Sequence, residues 1–396
     1  MQVDVLFPTT QRDVRLDLFR GLANWAIFLG HISGTILSWF TTRNYGFSDG
    51  ADLFVFISGY TATLVFGRMM VTRGFVIGAT RLMRRVWQIY VAHILLFVFY
   101  VTSIHYVAHN FDVPHLMDQF NVARLMEYPV ETLSQGLILR LKPLNLDVLP
   151  LYIVLMGLFP PVLWLMLRWR NLVMIGSVLL YMAARYFQWN LHAYPAGVWY
   201  FNPLTWQLAF VLGAWLVLGG AHTLRFVTQS RLALLLSVGF VVFALLLTLS
   251  ERIPELQKVF PAVVMEAFVP NDKTNLAPYR VLHLASLTLL VVRFMPIDWS
   301  GLNWPVFRPL IKCGQQSLAV FCLGVFLSFA AHLALDTISN GILAQLFVGV
   351  AGLSIMTGVA YYQSWSKQVD KASSVRTGGT AREGRSPALR DADQTG

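Results

Sequence analysis

The sequence predicts an all-α, polytopic integral membrane protein with about ten transmembrane helices and both termini cytoplasmic. Three observations carry this. Of 396 residues, 56% are apolar and only 13% are charged, whereas a soluble domain carries about 25% charged residues. The apolar residues form long continuous runs, not the alternating pattern of an outer-membrane barrel. Lys and Arg are unequally shared between the two sides of those runs, which sets an orientation. Apolar content this high excludes a disordered chain, and two cysteines exclude a disulfide scaffold.

A span needs about 20 apolar residues to cross the hydrocarbon core. The stretches 21–40, 51–70, 86–107, 148–167, 171–187, 203–219, 231–249, 279–295, 313–335 and 341–363 approach or meet that length. Residues 1–20 hold three Asp and three Arg and no apolar core, so they read as a short cytoplasmic segment and not as a cleavable signal. With the N-terminus inside, 21 of the 30 Lys and Arg residues lie on the cytoplasmic side. The longest outer loop, 108–147, carries five acids against three bases. The net charge of +10 is then a topology signal, and no nucleic-acid partner is needed to explain it. Residues 21–364 form the membrane domain. Residues 365–396 are polar, basic and rich in small side chains, and read as a disordered cytoplasmic tail. Neither a solenoid repeat nor a two-half transporter symmetry is visible. Cys313 and Cys322 share one apolar stretch and read as buried thiols.

The usual soluble-enzyme and metal motifs are missing, so chemistry is sought among ionisable groups inside the membrane. No metal site is expected. His31 stands near the middle of the first expected span, flanked by Gly30 and Gly34, which would admit a neighbouring backbone. Arg20 lies eleven residues earlier, about 16 Å away along a helix. A basic group at a membrane mouth suits a charged carrier, and an imidazole at mid-depth suits proton chemistry on the carrier's far end. The pair fits equally well a packing histidine and a topology-setting arginine. Ser58 falls in the second span at a depth similar to His31, about 10 Å from the outer surface. Asp49 and Asp52 sit above them. Either could orient an imidazole or accept sugar hydroxyls, and Asp49 alone reads best as a helix cap. Arg81, Arg84 and Arg85 share one helical face before the third span. Three guanidiniums suit phosphate, although taken alone they read first as topology signals. His93, His283 and His332 each read as packing residues.

Together these residues resemble the membrane acyltransferase 3 superfamily. The carrying features are Arg20 and His31 on one helix, the run Gly50-Ala51-Asp52-Leu53-Phe54-Val55-Phe56-Ile57-Ser58-Gly59-Tyr60, and the Arg81/Arg84/Arg85 stretch. Within it the chain is most similar to the OpgC branch. Asp49-Gly50-Ala51-Asp52, Trp87-Gln88-Ile89-Tyr90, Asn202-Pro203 with Trp206-Gln207, and Gly314-Gln315-Gln316-Ser317-Leu318 carry that likeness, which covers 12–365. Ala51 and the added Asp49 depart from the wider superfamily and fit this branch.

The resemblance implies a multi-pass protein of the bacterial inner membrane that moves a succinyl group from cytoplasmic acyl-CoA to a periplasmic glucan. It implies no cofactor beyond acyl-CoA, with succinyl-CoA as co-substrate. Its partners would be acyl-CoA, the glucan acceptor and the lipid bilayer. Arg20 and Arg81/Arg84/Arg85 would then bind the phosphates, and His31 would act as general base. Asp52 would orient it. Asp49 would face the acceptor, and Ser58, Trp206 or Gln207 would stabilise the oxyanion. Direct transfer and a covalent carrier on Ser58 or His31 both remain open. Polyanionic CoA would be repelled by acidic outer loops, so donor and acceptor would enter from opposite sides. The competing class is a proton-coupled transporter or exporter of a glucan or small acid.

Overall fold

The computed structural model describes residues 12–32, 34–111, 113 and 115–383, with side chains as far as 370. Helix α1 runs Val14–His31, capped by Asp13, whose carboxylate accepts from the Arg15 amide at 3.0 Å. The expected span 21–40 is therefore displaced. Its second half is a 3₁₀ turn, Ile36–Phe40, followed by another over Thr42–Asn44. The cause is local. Thr35, Ser38 and Thr41 each turn a hydroxyl onto the carbonyl three residues back, and the Asn44 amide joins them on Ser38 O. Such bonds compete with the helical ladder.

Helix α2 spans Gly50–Arg73, with a π-turn over Thr63–Gly67. Gly74, at φ 93°, separates it from α3, Phe75–Asn110. At 1.5 Å per residue α3 is about 54 Å long, more than a bilayer core. Helix α4, Val148–Tyr186, breaks at Trp169 and so contains both expected spans 148–167 and 171–187. Helix α5 is Pro203–Thr223, started by the Asn202 cap and Pro203. Helix α6 is Arg231–Ser250 and α7 is Pro278–Phe294. A bend at Gln316 divides α8, Arg308–Gln315, from α9, Ser317–Thr337. Helix α10, Ile342–Glu383, continues into the stretch expected to be a disordered tail. Residues 1–11 of the expected N-terminal segment and 384–396 of the expected tail lie outside the described residues. Among the described residues there is no strand, only an isolated bridge between His192 and Val198.

Among the described residues, seven helices are long and apolar enough to cross a membrane: α2, α3, α4, α5, α6, α9 and α10 as far as Asp370. Helix α7 is shorter, at 17 residues, and α1 carries Arg15, Asp17 and Arg20. Helix α6 is the most apolar, with mean hydropathy 2.8, yet only 11% of its apolar window is buried. Its side chains therefore lie mostly on the outside of the bundle. The centre is made by α1 on α8 and α2 on α5. Glycines set both contacts. A Cβ on Gly21 would overlap Leu310 O and one on Gly314 would overlap Asp17 O, while Gly59 and Gly213 do the same for α2 and α5. Small residues let membrane helices approach backbone to backbone.

Gly314→Ala is expected to lower stability by about 1–3 kcal/mol through overpacking. Gly239→Ala, where nothing stands within 4 Å, is expected to leave stability unchanged or raised. Thermal unfolding of the purified protein in detergent compares the two.

Candidate active site

The end of the bundle that carries the long connections after α1, α3, α4 and α6 holds a cavity of about 750 Å³. Ile27, Gly30 and His31 of α1, Gly50 of α2 and Val148 of α4 line its base. His31 is the last residue of α1, not a mid-helix residue, and its buried Nδ1 has no hydrogen-bond partner. Its flanking glycines admit no second backbone. The atom nearest a Cβ on Gly30 would be Thr41 Cγ2 at 3.9 Å, and Gly34 is open at φ 72°. They end the helix and leave room around the imidazole.

Asp49 and Asp52 build the start of α2. Asp49 accepts from the Ala51 amide at 2.8 Å, and Asp52 accepts from the Asp49 amide at 2.8 Å, a reciprocal capping box. Both carboxylates also meet cations from far along the chain, Asp49 through its second oxygen and Asp52 through both oxygens. Asp52 Oδ2 accepts from the Asp49 amide and from Arg280 alike. Arg280 Nη2 lies 2.5 Å from Asp52 and 3.5 Å from Asp49, and Lys273 Nζ lies 2.6 Å from Asp49. Two carboxylates and two cations leave this buried group neutral. Burial pushes the Asp49 carboxyl up, but Lys273 and Arg280 outweigh it and hold it well below the usual carboxylate range. Asn271 accepts from Arg280 at 3.1 Å and donates to Phe47 O at 2.9 Å. Neither aspartate bonds His31, so the expected Asp52–His31 pairing is replaced by Asp52–Arg280.

Depth separates Ser58 from His31. A Cβ on Gly50 would stand 3.1 Å from Ala23 O and 3.2 Å from Ile27 Cγ1, so the start of α2 is level with the middle of α1. Ser58 lies eight residues further down α2, and His31 four to eight residues further up α1. The two are about 20 Å apart along the helices. Ser58 is instead one turn from Thr61, which receives the Arg20 guanidinium. The indole N–H of Trp206 donates to Lys273 O at 3.0 Å. Gln207 donates to Ser177 O at 2.8 Å and accepts from the Ser177 hydroxyl at 2.6 Å. Neither has a donor left for an oxyanion. Trp206 acts through Lys273.

The four arginines expected to bind phosphate are split. Arg20 turns into the bundle, Arg81 and Arg84 are exposed on α3, and Arg85 lines a second recess of about 630 Å³. That recess lies between α3, α9 and α10, with Gln316 and Lys367 beside Arg85 and Leu95, Phe99 and Phe326 beyond. His283 bonds the Ser48 hydroxyl at 2.6 Å and His332 the Gln119 amide at 3.1 Å. His93 is fully buried with neither ring nitrogen bonded.

The cavity around His31 is cationic, which corrects the expected acidic outer face. Arg43, Arg140, Lys142, Arg252, Lys273 and Arg280 line it against three carboxylates. Asp118, Glu127 and Glu131 of the 108–147 loop are exposed away from it, and among the described acids of that loop Asp147 alone joins the lining. Arg280, Lys273 and Lys142 escaped the sequence analysis. Arg280, an arginine two residues into an apolar helix, is the one with a readable signal.

Arg280→Ala is expected to cost about 3–5 kcal/mol, because it leaves Asp52 charged and buried without a cation. Arg280→Lys is expected to recover part of that loss. Detergent melting curves of the two variants measure this.

A family model described as OpgC protein matches residues 12–368. No curated protein and no solved structure matches the chain. The match takes in every helix from α1 to α9 and the apolar part of α10, together with both recesses. The chain belongs to the OpgC protein family.

Proposed function

We propose that this protein is a membrane O-acyltransferase that moves a succinyl group from succinyl-CoA to hydroxyl groups of a periplasmic glucan. Family membership supports the class. The observation that carries the site is an imidazole with an uncommitted, buried Nδ1 in a large polar cavity at one end of a membrane bundle. In the full topology α1, α7 and both halves of α4 cross the membrane as well, α8 and α9 together make one crossing, and ten crossings leave both termini in the cytoplasm of a bacterial inner membrane. The cavity then faces the periplasm, and Arg81, Arg84, Arg85 and Lys367 face the cytoplasm, where phosphates of acyl-CoA arrive. Kinship with the acyltransferase 3 superfamily belongs to the same proposal, as does the absence of any cofactor other than the CoA co-substrate.

His31 takes the proton of a glucan hydroxyl as that oxygen bonds to the thioester carbonyl carbon. The tetrahedral intermediate collapses, the C–S bond breaks, and the imidazolium returns the proton to the CoA thiolate. The cationic lining favours the developing oxyanion. Transfer is direct in this scheme: Ser58 lies too far from His31 to be activated by it, and His31 itself serves as the base and not as an acyl carrier. An aromatic layer lies between the two ends: Phe54 packs on Tyr152 at 5.9 Å and on Phe321 at 5.8 Å, and Tyr152 lies 6.5 Å from Phe210. The pantetheine arm passes this layer when the donor binds.

Purified protein given labelled succinyl-CoA and a glucan is expected to label the glucan. His31→Gln keeps a hydrogen-bonding side chain and loses the base, so kcat should fall by about 10²–10⁴-fold with the melting temperature unchanged. Full activity in that variant removes His31 from the chemistry. Unlabelled glucan crossing vesicle membranes, with no label transferred, would favour a proton-coupled exporter instead.

A further inference from the structure

Among the described residues, the lining of the His31 cavity includes buried donors with no hydrogen-bond partner. Lys142 lies between the short helix Pro129–Leu137 and α4. It is 7% exposed, it lines the cavity, and its Nζ has no hydrogen-bond partner. The ammonium rests 3.6 Å from the centroid of the Trp199 ring. That contact suits a cation but offers no acceptor. Tyr194 lines the same cavity, and its hydroxyl is also buried and unpartnered. Buried donors are nearly always bonded, and an unpaired buried cation is costly.

Burial pushes the Lys142 ammonium down from its ordinary range, and Asp147 offsets this only in part. Asp147 is itself pushed up by burial, against Lys142 and Lys273. The internal carboxylate therefore does not settle the lysine, whereas an arriving anion would. His31, Lys142 and Tyr194 line this same cavity.

The geometry points to Lys142, with the Tyr194 hydroxyl, as the seat of the distal carboxylate of a dicarboxylic acyl group. The enzyme would thereby select a succinyl group over a neutral acyl group of equal length. This rests on the acyl-transfer function proposed above.

The test compares succinyl-CoA with butyryl-CoA, which has the same chain length without the charge. Wild type is expected to favour succinyl transfer in kcat/KM by about 10–100-fold, the worth of one charged hydrogen bond. Lys142→Met should remove most of that ratio and Lys142→Arg should retain most of it. A Lys142→Met protein that keeps the wild-type ratio overturns the assignment while leaving acyl transfer intact. If wild type transfers neither group, the acyl-transfer function fails, and binding of free succinate decides the carboxylate seat separately. Succinate, and not butyrate, should then raise the melting temperature of wild type and of Lys142→Arg but not of Lys142→Met. No rise in wild type overturns the seat.

Discussion

The buried ion set of Asp49, Asp52, Lys273 and Arg280 is the constraint on which the cavity end of this protein depends. Asp52 is fully buried and Arg280 is 2% exposed. Neither charge is tolerable there alone, since each unpaired ion would face the full cost of leaving water. Their pairing pins the start of α2 to the start of α7. Lys273 and Asn271 extend the clamp into the connection before α7, and Trp206 of α5 holds Lys273 by its carbonyl. Three separate elements thus become one wall of the cavity that His31 also lines, and among the described residues no carboxylate hydrogen-bonds the imidazole. Because the set is neutral, the positive lining of the cavity comes from the remaining side chains, Arg43, Arg140, Lys142 and Arg252 among them.

Backbone contact at the glycines of α1, α2, α5 and α8 does the equivalent work deeper in the bundle. Between α2, α4, α5 and α9 the Phe54, Tyr152, Phe210 and Phe321 rings pack against one another. Aromatic rings can rotate aside where a glycine contact cannot yield. The recess beside Arg85 opens instead between α3, α9 and α10, with an apolar wall and a cationic mouth.

Much of this was legible in the sequence, for identifiable reasons. The apolar runs exposed the bundle, and Asp49 three residues before Asp52 exposed a helix start, because both signals are local. The end of α1 was not legible from hydropathy. Thr35, Ser38, Thr41 and Asn44 are polar enough to bond their own backbone yet sit in an otherwise apolar run. The ion set was hidden for another reason: Lys273 and Arg280 are 224 and 228 residues from the aspartates they meet. Acids counted along a loop misjudged the charge of the cavity, since exposed Glu127 and Glu131 add to the tally and not to the lining. Trp206 and Gln207 were found by resemblance, and their hydrogen bonds show them holding neighbours in place.

The central claim is that donor and acceptor reach His31 from opposite faces of the membrane. Sealed vesicles of known orientation test it most directly, with succinyl-CoA supplied only to the face bearing Arg81 and Arg84 and glucan enclosed on the face bearing the cavity. Label should appear on the enclosed glucan, and reversing the two substrates should give none. Labelling that requires both substrates on the Arg81/Arg84 face would contradict transfer through the membrane and would place acylation before export of the glucan.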